Sequence, residues 1–378
     1  MSRTQTAAEA VDERHLERAL ELAARGRYRV SPNPMVGAVL VRDGEVVGEG
    51  FHPHVGGPHA EVEALAAAGE RARGATLYVT LEPCSHHGRT PPCVEAVLGA
   101  GVARVVACHR DPNPEVPGVG FRILEEHGIP VSTGLGARAA VRLNWRYLVA
   151  TTLRRPAVTL KWAMSLDGKI ATVSGESQWI SSPPAREWAL EERETHDAIL
   201  VGIGTALADD PRLTRRLGHA GAPNVRVVMD RRLRLSPEAR MLREDGELLV
   251  YGDREADAGR ARALERVGAI VVCLASTTPS RVLEDLLERG NQSVLVEGGG
   301  EIHAAFVAEG VFDRVGVVCA PRLLGGGAAP GPVGGDGFAR LDTAPSLEHL
   351  EAEALGPDLL ITAYRDGCLQ ELFESVVA

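Results

Sequence analysis

Short apolar runs rich in β-branched residues alternate with segments of helical period along most of this 378-residue chain, and no other feature restricts the fold as much. "MVGAVLVRDGEVVGEGF" places two such runs either side of Asp43-Gly44, the short-range signature of a hairpin. "EVEALAAAGE" and "CVEAVLGAG" then read as helices, with "ATLYVTLE" and "ARVVAC" as strands. After a polar, helix-compatible stretch around "RAAVRLNWRYL", Pro156 precedes a second series of strands: "AVTLKWAM", "AILVGIG", "VRVVMD", "ELLVY", "AIVVC", "SVLVEGGG" and "RVGVVCAP". Helices are expected near Pro184 to Thr195, over Asp257 to Val267, near Arg281 to Arg289 and from Glu301. Parallel neighbours need crossover connections, so strands separated by helices predict layered α/β domains with a largely parallel sheet beyond the hairpin. An amphipathic helix over Val11 to Ala24 precedes the first series.

A chain this long exceeds what one hydrophobic core organises, and two domains are expected, 1–150 and 151–378. "LLGGGAAPGPVGGDGF" reads as a glycine-rich loop, and the tail "DGCLQELFESVVA" has helical spacing at Leu369, Leu372 and Val376. Hydrophobic residues at 44% and charged residues at 24% are those of an ordinary globular protein. A formal net charge of -10 repels phosphate backbones, which makes nucleic acid a poor partner. No stretch approaches the roughly 18 apolar residues of a membrane span, and the start lacks a basic head followed by an apolar run, so no membrane partner and a cytoplasmic location are expected. Six cysteines are too sparse for a disulfide framework; Cys108, Cys273, Cys319 and Cys368 stand alone and read as buried thiols.

"HAEVEALAAAGERARGATLYVTLEPCSHHGRTPPC" (59–93) carries the chemistry. A His-x-Glu at a helix start, followed by Pro-Cys before a second helix, is how zinc deaminases hold their metal. His59, Cys84 and Cys93 fill three tetrahedral positions and leave the fourth for water. Zinc lowers the pKa of that water toward neutrality, and Glu61 is placed to shuttle its proton to a departing amine. The usual second pair is Cys-x-x-Cys, whereas eight residues, "SHHGRTPP", separate Cys84 from Cys93 here. Pro91-Pro92 is expected to set up the helix that returns Cys93 to the metal, and the insertion to line the pocket. His52 and His54 read as exposed loop histidines.

In the second half, Glu297 at a strand end is followed by Gly298-Gly299-Gly300 and a helix. Glycines without Cβ atoms let backbone amides approach an anion at a helix N-terminus. The residues alone support a phosphate or dinucleotide site and no more, since the Rossmann fingerprint is absent.

"SPNPMVGAVLV", "GEGFHPHVGGPHAEVEAL", "YVTLEPCSHHGRTPPC" and "RDPNPEVPGVG" resemble the deaminase half of the bifunctional deaminase-reductases of riboflavin biosynthesis, whose own cysteine spacing is the long one. "TLKWAMSLDGKIA", "GESQWIS", "VGIGTALADDPRLTRR" and "VLVEGGGEIHAAF" resemble the reductase half. The resemblance implies a cytidine-deaminase-like three-layer α/β/α domain and a dihydrofolate-reductase-like α/β domain. It implies Zn2+ and NADPH as cofactors, a phosphorylated pyrimidine as substrate, and deamination followed by reduction of the ribosyl side chain to a ribityl chain. It makes Asn33 a pyrimidine contact and turns the inserted loop, with Arg89, toward the ribose phosphate. Ala163, Trp179, Thr205, Asp209 and the segment Gly299, Gly300, Glu301, Ile302, His303, Ala304 and Ala305 match cofactor contacts. Ser177, Arg193, Leu213, Arg216 and Glu297 match positions that hold the substrate phosphate, and Lys161 matches the lysine near the reacting centre. A homo-oligomer is expected. The competing reading is a zinc nucleoside or nucleobase deaminase with a non-catalytic second binding domain.

Overall fold

The computed structural model describes residues 3–86, 91–113 and 118–377, with side chains from residue 9. Two compact units emerge, one formed by the residues up to Arg154 together with those from Leu369 on, the other by Arg155–Cys368.

The first unit contains α1 (Arg3–Ala23), β1 (Gly37–Arg42), β2 (Glu45–Phe51), α2 (Ala60–Ala68), β3 (Thr76–Val79), α3 (Cys93–Ala100), β4 (Arg104–Ala107), α4 (Val119–Glu126), β5 (Val131–Thr133), α5 (Ala137–Leu143) and α6 (Trp145–Thr152). Its five strands lie in the order β2-β1-β3-β4-β5. β1 is antiparallel to β2 and β3, and the remaining pairs are parallel. At the hairpin turn Asp43 and Gly44 have φ of 53° and 81°, the left-handed pair that a tight two-residue turn requires.

Successive strand residues face opposite sides, which splits the core in two. Leu77, Val79, Val105 and Ala107 pack with Ala60 and Ala64 of α2 and with Val94 and Val97 of α3. Tyr78, Val106 and Cys108 pack with Leu16 and Ala19 of α1 and Ala140 of α5. Helices therefore cover both faces, giving three layers. Small residues draw α2 tightly onto β2: a Cβ on Gly48 would stand 2.3 Å from the carbonyl of Ala64, and one on Gly50 2.4 Å from that of Ala60. That close fit fixes the start of α2, where His59 and Glu61 sit.

The second unit contains β6 (Ala157–Ser165), α7 (Pro183–Glu194), β7 (Ala198–Gly202), α8 (Ile203–Asp209), β8 (Val225–Met229), β9 (Leu248–Asp253), α9 (Ala258–Arg266), β10 (Ile270–Leu274), α10 (Pro279–Glu288), β11 (Ser293–Val296), α11 (Gly300–Glu309), β12 (Arg314–Ala320), β13 (Leu347–Leu355) and β14 (Asp358–Arg365). Nine strands follow the order β10-β9-β8-β7-β11-β6-β12-β14-β13. All pairs are parallel except β12 with β14 and β14 with β13. Alternation again divides the core: Leu200, Val227, Leu249 and Tyr251 join Phe306 on one face, and Ile199, Val201, Val228 and Val250 join Leu264 on the other. Parallel strands covered by helices on both faces explain the continuous apolar runs of the sequence.

Two expectations are corrected here. The tail, assigned by sequence to the second domain, clusters from Leu369 on with the first unit. There α12 (Cys368–Val377) meets α5: Arg138 donates to Gln370 Oε1 at 3.2 Å and lies 4.3 Å from the Phe373 ring centre. The four solitary cysteines are not uniformly buried either, for Cys273, on β10, is exposed and Cys319 is half-buried. The glycine-rich segment is tied at both ends. Asp167 accepts from the Leu324 and Gly325 amides at 3.1 and 2.6 Å, and Gly334 donates to Gly300 O at 3.0 Å.

Candidate active sites

In the first unit two helix starts and the loop after β3 converge. His59 is the N-cap of α2, with extended backbone, and Cys93 is the first residue of α3 after Pro92. Cys84 follows β3. His59 Nδ1 lies 3.2 Å from Cys93 Sγ and 3.4 Å from Cys84 Sγ, and all three atoms fall within 4.8 Å of one another. Two donors of one tetrahedral zinc, at Zn–N of about 2.0 Å and Zn–S of about 2.3 Å, stand roughly 3.5 Å apart. The donor set thus fits the ion in kind and in spacing. The Cys93 amide also donates to Cys84 Sγ at 3.3 Å, and the contact between the two thiols lowers the pKa of Cys84 while raising that of Cys93, so that they share one proton. A sulfur held as thiolate is what a metal needs.

Glu61 is buried in the first turn of α2, and burial, then the Cys84 charge, pushes its carboxyl up to about 7. It lines a 480 Å³ cavity together with Asn33, His52, Asp111, Asn113 and Tyr147, beside His59 and Cys84. A volume of that order suits a small nucleotide-like ligand.

His52, read from sequence as an exposed loop histidine, is only 3% exposed, and this corrects the expectation. Its Nδ1 lies 2.9 Å from Pro58 O and its Nε2 3.1 Å from Asn33 Nδ2. A carbonyl can only accept, so Nδ1 carries the proton and Nε2 accepts from the Asn33 amide. Asn33 Oδ1 is then the acceptor, and the second Nδ2 hydrogen the donor, that this amide keeps for a ligand. His54 is exposed, as expected.

Asp111 and Asn113 belong to the motif "RDPNPEVPGVG" but had no site role assigned, and Tyr147 carried no local signal; all three line the cavity. Buried Glu82 organises part of this wall. Its carboxylate accepts from the amides of Asp111 (2.9 Å), Gly118 (3.2 Å), Gly120 (2.7 Å) and Phe121 (3.3 Å). Arg89 lies outside the described residues, as does His87.

In the second unit Glu297 follows β11 and meets Arg193 of α7 in a bidentate pair, Nε–Oε1 2.6 Å and Nη2–Oε2 2.7 Å. Burial pushes the Glu297 carboxyl up, but Arg193, Lys161 and Arg216 outweigh it and hold it at about 2. Lys161, on β6, has its pKa lowered by burial, with Glu297 opposing. The electrostatic partnership of Lys161 with Glu297 is present, while the hydrogen-bonded partner of Glu297 is Arg193. Arg193 Nη1 donates to Thr214 O at 3.2 Å, so every nitrogen of its guanidinium has a protein acceptor.

Ser177 Oγ donates to Asp209 Oδ1 at 3.3 Å, joining a residue expected at the substrate to one expected at the cofactor. A Cβ on Gly299, the N-cap of α11, would stand 3.1 Å from Thr205 Oγ1, which brings that pair together too. Ala163 lies on β6 opposite Val318, partly buried. Gly298 has φ 112°, a conformation open to glycine and costly for other residues. The opening amides of α11, at Gly300 and Glu301, have no intrahelical acceptor, the usual basis of anion binding. Glu301 is exposed, whereas Ile302, Ala304 and Ala305 are partly buried.

Trp179 is exposed and lies under Arg186, whose guanidinium carbon is 4.8 Å from its ring centre, so it belongs to no core. Leu213 packs in the core with Ile199 and Val201, is 1% exposed, and has its carbonyl taken by Asn224 Nδ2 at 2.9 Å, so its amide alone remains for a ligand. The His303 ring, 1% exposed, has Nδ1 2.9 Å from Pro332 O and Nε2 3.3 Å from Val296 O, and so is turned into the protein. Arg216 is exposed.

Residues 156–361 match the RibD C-terminal domain family, and residues 9–109 match the cytidine and deoxycytidylate deaminase zinc-binding region. The riboflavin biosynthesis protein RibD of Synechocystis sp. is 42% identical over 94% of this chain and 97% of its own length. That of Bacillus amyloliquefaciens is 43% identical, again over 94% and 97%. Among solved structures, Acinetobacter baumannii RibD superposes with a TM-score of 0.86 at 38% identity, covering 94% of this chain and 99% of that one. A Thermotoga maritima protein described as a diaminohydroxyphosphoribosylaminopyrimidine deaminase/5-amino-6-(5-phosphoribosylamino)uracil reductase gives 0.83 at 36% identity, covering 95% and 99%. With both catalytic halves present in one chain, and relatives of this identity matched over nearly their whole length, the protein belongs to the RibD family of riboflavin biosynthesis proteins.

Proposed function

We propose that the first unit hydrolyses an amino group from a diaminopyrimidine ribosyl phosphate and that the second reduces the ribosyl side chain of the product to ribityl with NADPH. The protein is a deaminase-reductase of riboflavin biosynthesis, and the proposal concerns which residues do what. The observation that carries it is the convergence of His59 Nδ1, Cys84 Sγ and Cys93 Sγ beside Glu61 at one cavity.

His59, Cys84 and Cys93 hold zinc, which when bound supplies the Lewis acidity that makes water nucleophilic near neutral pH. Glu61 takes the proton of that water and returns it to the leaving amine, the task of a buried carboxyl titrating near neutrality. Asn33 Oδ1 accepts from a pyrimidine N–H and sets the ring's orientation.

In the reductase, NADPH supplies the two reducing electrons, and the protein supplies binding, orientation and field. The Gly299–Ala305 segment receives the cofactor through backbone amides, with Thr205, Asp209, Ala163 and Trp179 around it. Lys161 places its ammonium by the reacting carbon. Arg216 and Ser177, with the backbone at Leu213, take the substrate phosphate, Arg216 as its cation. Arg193 and Glu297 brace that site.

Two further assignments belong to the same proposal. β13 is an edge strand whose residues are almost all exposed, Leu347 and Leu350 among them, and a long exposed edge of this kind is covered in a homo-oligomer. No described helix is long and apolar enough to cross a membrane, and free cysteines with NADPH chemistry suit the cytoplasm. The test is direct: zinc-loaded protein is given the diaminopyrimidine ribosyl phosphate, and ammonia is followed with and without NADPH. Ammonia should appear in both and NADPH be consumed only after it. Release from cytidine but not from the phosphate substrate would favour the nucleoside deaminase reading.

A further inference from the structure

We propose that Glu194 is a positioning residue of the reductase, shaping the turn that presents Arg216 to the anionic end of the substrate; this rests on the assignment of Arg216 to the substrate phosphate. Glu194 ends α7 and is 1% exposed. Its Oε1 accepts from the amides of Arg216 at 3.0 Å and Leu217 at 2.9 Å, and its Oε2 from that of Ala220 at 3.0 Å. Among the described residues it makes no salt bridge. A buried carboxylate is costly unless its lone pairs are used. Here three backbone donors from one turn use them, one of them the amide of Arg216 itself.

Other buried groups clamp the same turn. Asn224 accepts from the Arg215 amide at 2.9 Å and donates to Leu213 O at 2.9 Å. Arg215 reaches back to Arg193 O at 3.2 Å, and Arg193 Nη1 holds Thr214 O at 3.2 Å. Because the remaining nitrogens of Arg193 are taken by Glu297, Arg193 serves as a strut. Arg216 is the cation of this group that keeps an exposed side chain, with one long contact from Nε to Thr214 Oγ1 at 3.5 Å. A bidentate phosphate contact needs the arginine to leave the backbone in the right direction. Fixing that direction in advance removes an ordering cost from binding.

The test compares Glu194→Ala, Glu194→Gln and Arg216→Ala with the parent in steady-state reduction of phosphorylated and dephosphorylated ribosylaminouracil. Glu194→Ala should raise KM for the phosphorylated substrate by about tenfold or more. It should leave kcat, KM for NADPH and reduction of the dephosphorylated substrate within about twofold, because the bonds of Glu194 go to the turn that carries Arg216. Glu194→Gln keeps one acceptor oxygen, should give a smaller rise of the same selectivity, and carries the test if the alanine variant is insoluble. Far-UV circular dichroism and the urea unfolding midpoint are the controls for folding of the second unit. Equal losses on both substrates, or a rise confined to NADPH, would overturn the inference. If Arg216→Ala keeps the parent's preference for phosphate, the underlying assignment falls. If Arg216→Ala loses that preference and neither Glu194 variant does, only the role of Glu194 falls.

Discussion

The Nε2 of His52 accepts from the side-chain amide of Asn33 at 3.1 Å, because its Nδ1–H is already committed to Pro58 O. A neutral, buried imidazole therefore fixes which way round the Asn33 amide sits in the cavity wall. Replacement His52→Phe keeps a ring of similar bulk but removes the acceptor. The freed amide should cost about 1–2 kcal/mol of ground-state binding, or roughly tenfold in the deaminase KM. Zinc stoichiometry and NADPH oxidation with pre-deaminated substrate should not change. An unaltered KM would show that Asn33 is not held by His52.

Glu61 lies two residues from His59 but contributes no atom to the cluster of ligand atoms. Glu61→Gln should accordingly retain one zinc per chain by elemental analysis. Ammonia release should fall by two or more orders of magnitude, the usual worth of a positioned acid-base group being about 10²–10⁴. Reduction of pre-deaminated substrate should persist. Joint loss of both activities would mean that the two units cannot be separated chemically.

Lys161 feels the Glu297 carboxylate, while the hydrogen bonds of that carboxylate go to Arg193. Its ammonium is then available to a substrate. Lys161→Ala should leave ammonia release intact and lower kcat for NADPH oxidation at least tenfold, about 1.4 kcal/mol of lost transition-state stabilisation. Lys161→Arg should not restore it, because a planar fork does not replace a compact point charge. A normal reduction rate in the alanine variant would remove Lys161 from the mechanism.

What was legible in the sequence was local. His59 and Cys93 each stand at a helix start and Cys84 lies in the loop after β3, so their roles follow from motif and cap positions that short segments specify. The hairpin was legible for the same reason, since Asp43-Gly44 selects its turn. β13, by contrast, is written "LEHLEAEAL", a run of good helix formers. It becomes a strand only because β14 pairs with it, with a register shift between Glu348 and Glu351. Strand propensity is context, and pairing overrides the local preference. His52, Glu82 and Asp111 were illegible as site residues for a related reason: their meaning lies in partners 19 to 39 positions away in the chain. The tail shows helical spacing, but nothing in it says that Arg138 is where it docks.

The Arg193–Glu297 pair also makes a prediction for stability. Burial alone would raise the Glu297 carboxyl, and the stronger pull of Arg193, with Lys161 and Arg216 behind it, holds it at about 2. An unfolded glutamate titrates near ~4.3. The folded state therefore binds fewer protons in that interval, and the contribution is fully present above the unfolded value and lost as pH falls through the folded one. Its size is on the order of 3 kcal/mol, with a little over half gone by about pH 3. Glu297→Gln cannot titrate, so urea unfolding should show the parent ahead of the variant at pH 6 and the gap narrowing by pH 3. Neutralising the acid leaves Arg193 buried without an anionic partner, which adds a constant offset to the comparison but no slope with pH. A gap of constant size across that range would mean that Glu297 is not held ionised by its cations, and the electrostatic frame of the reductase site would have to be redrawn.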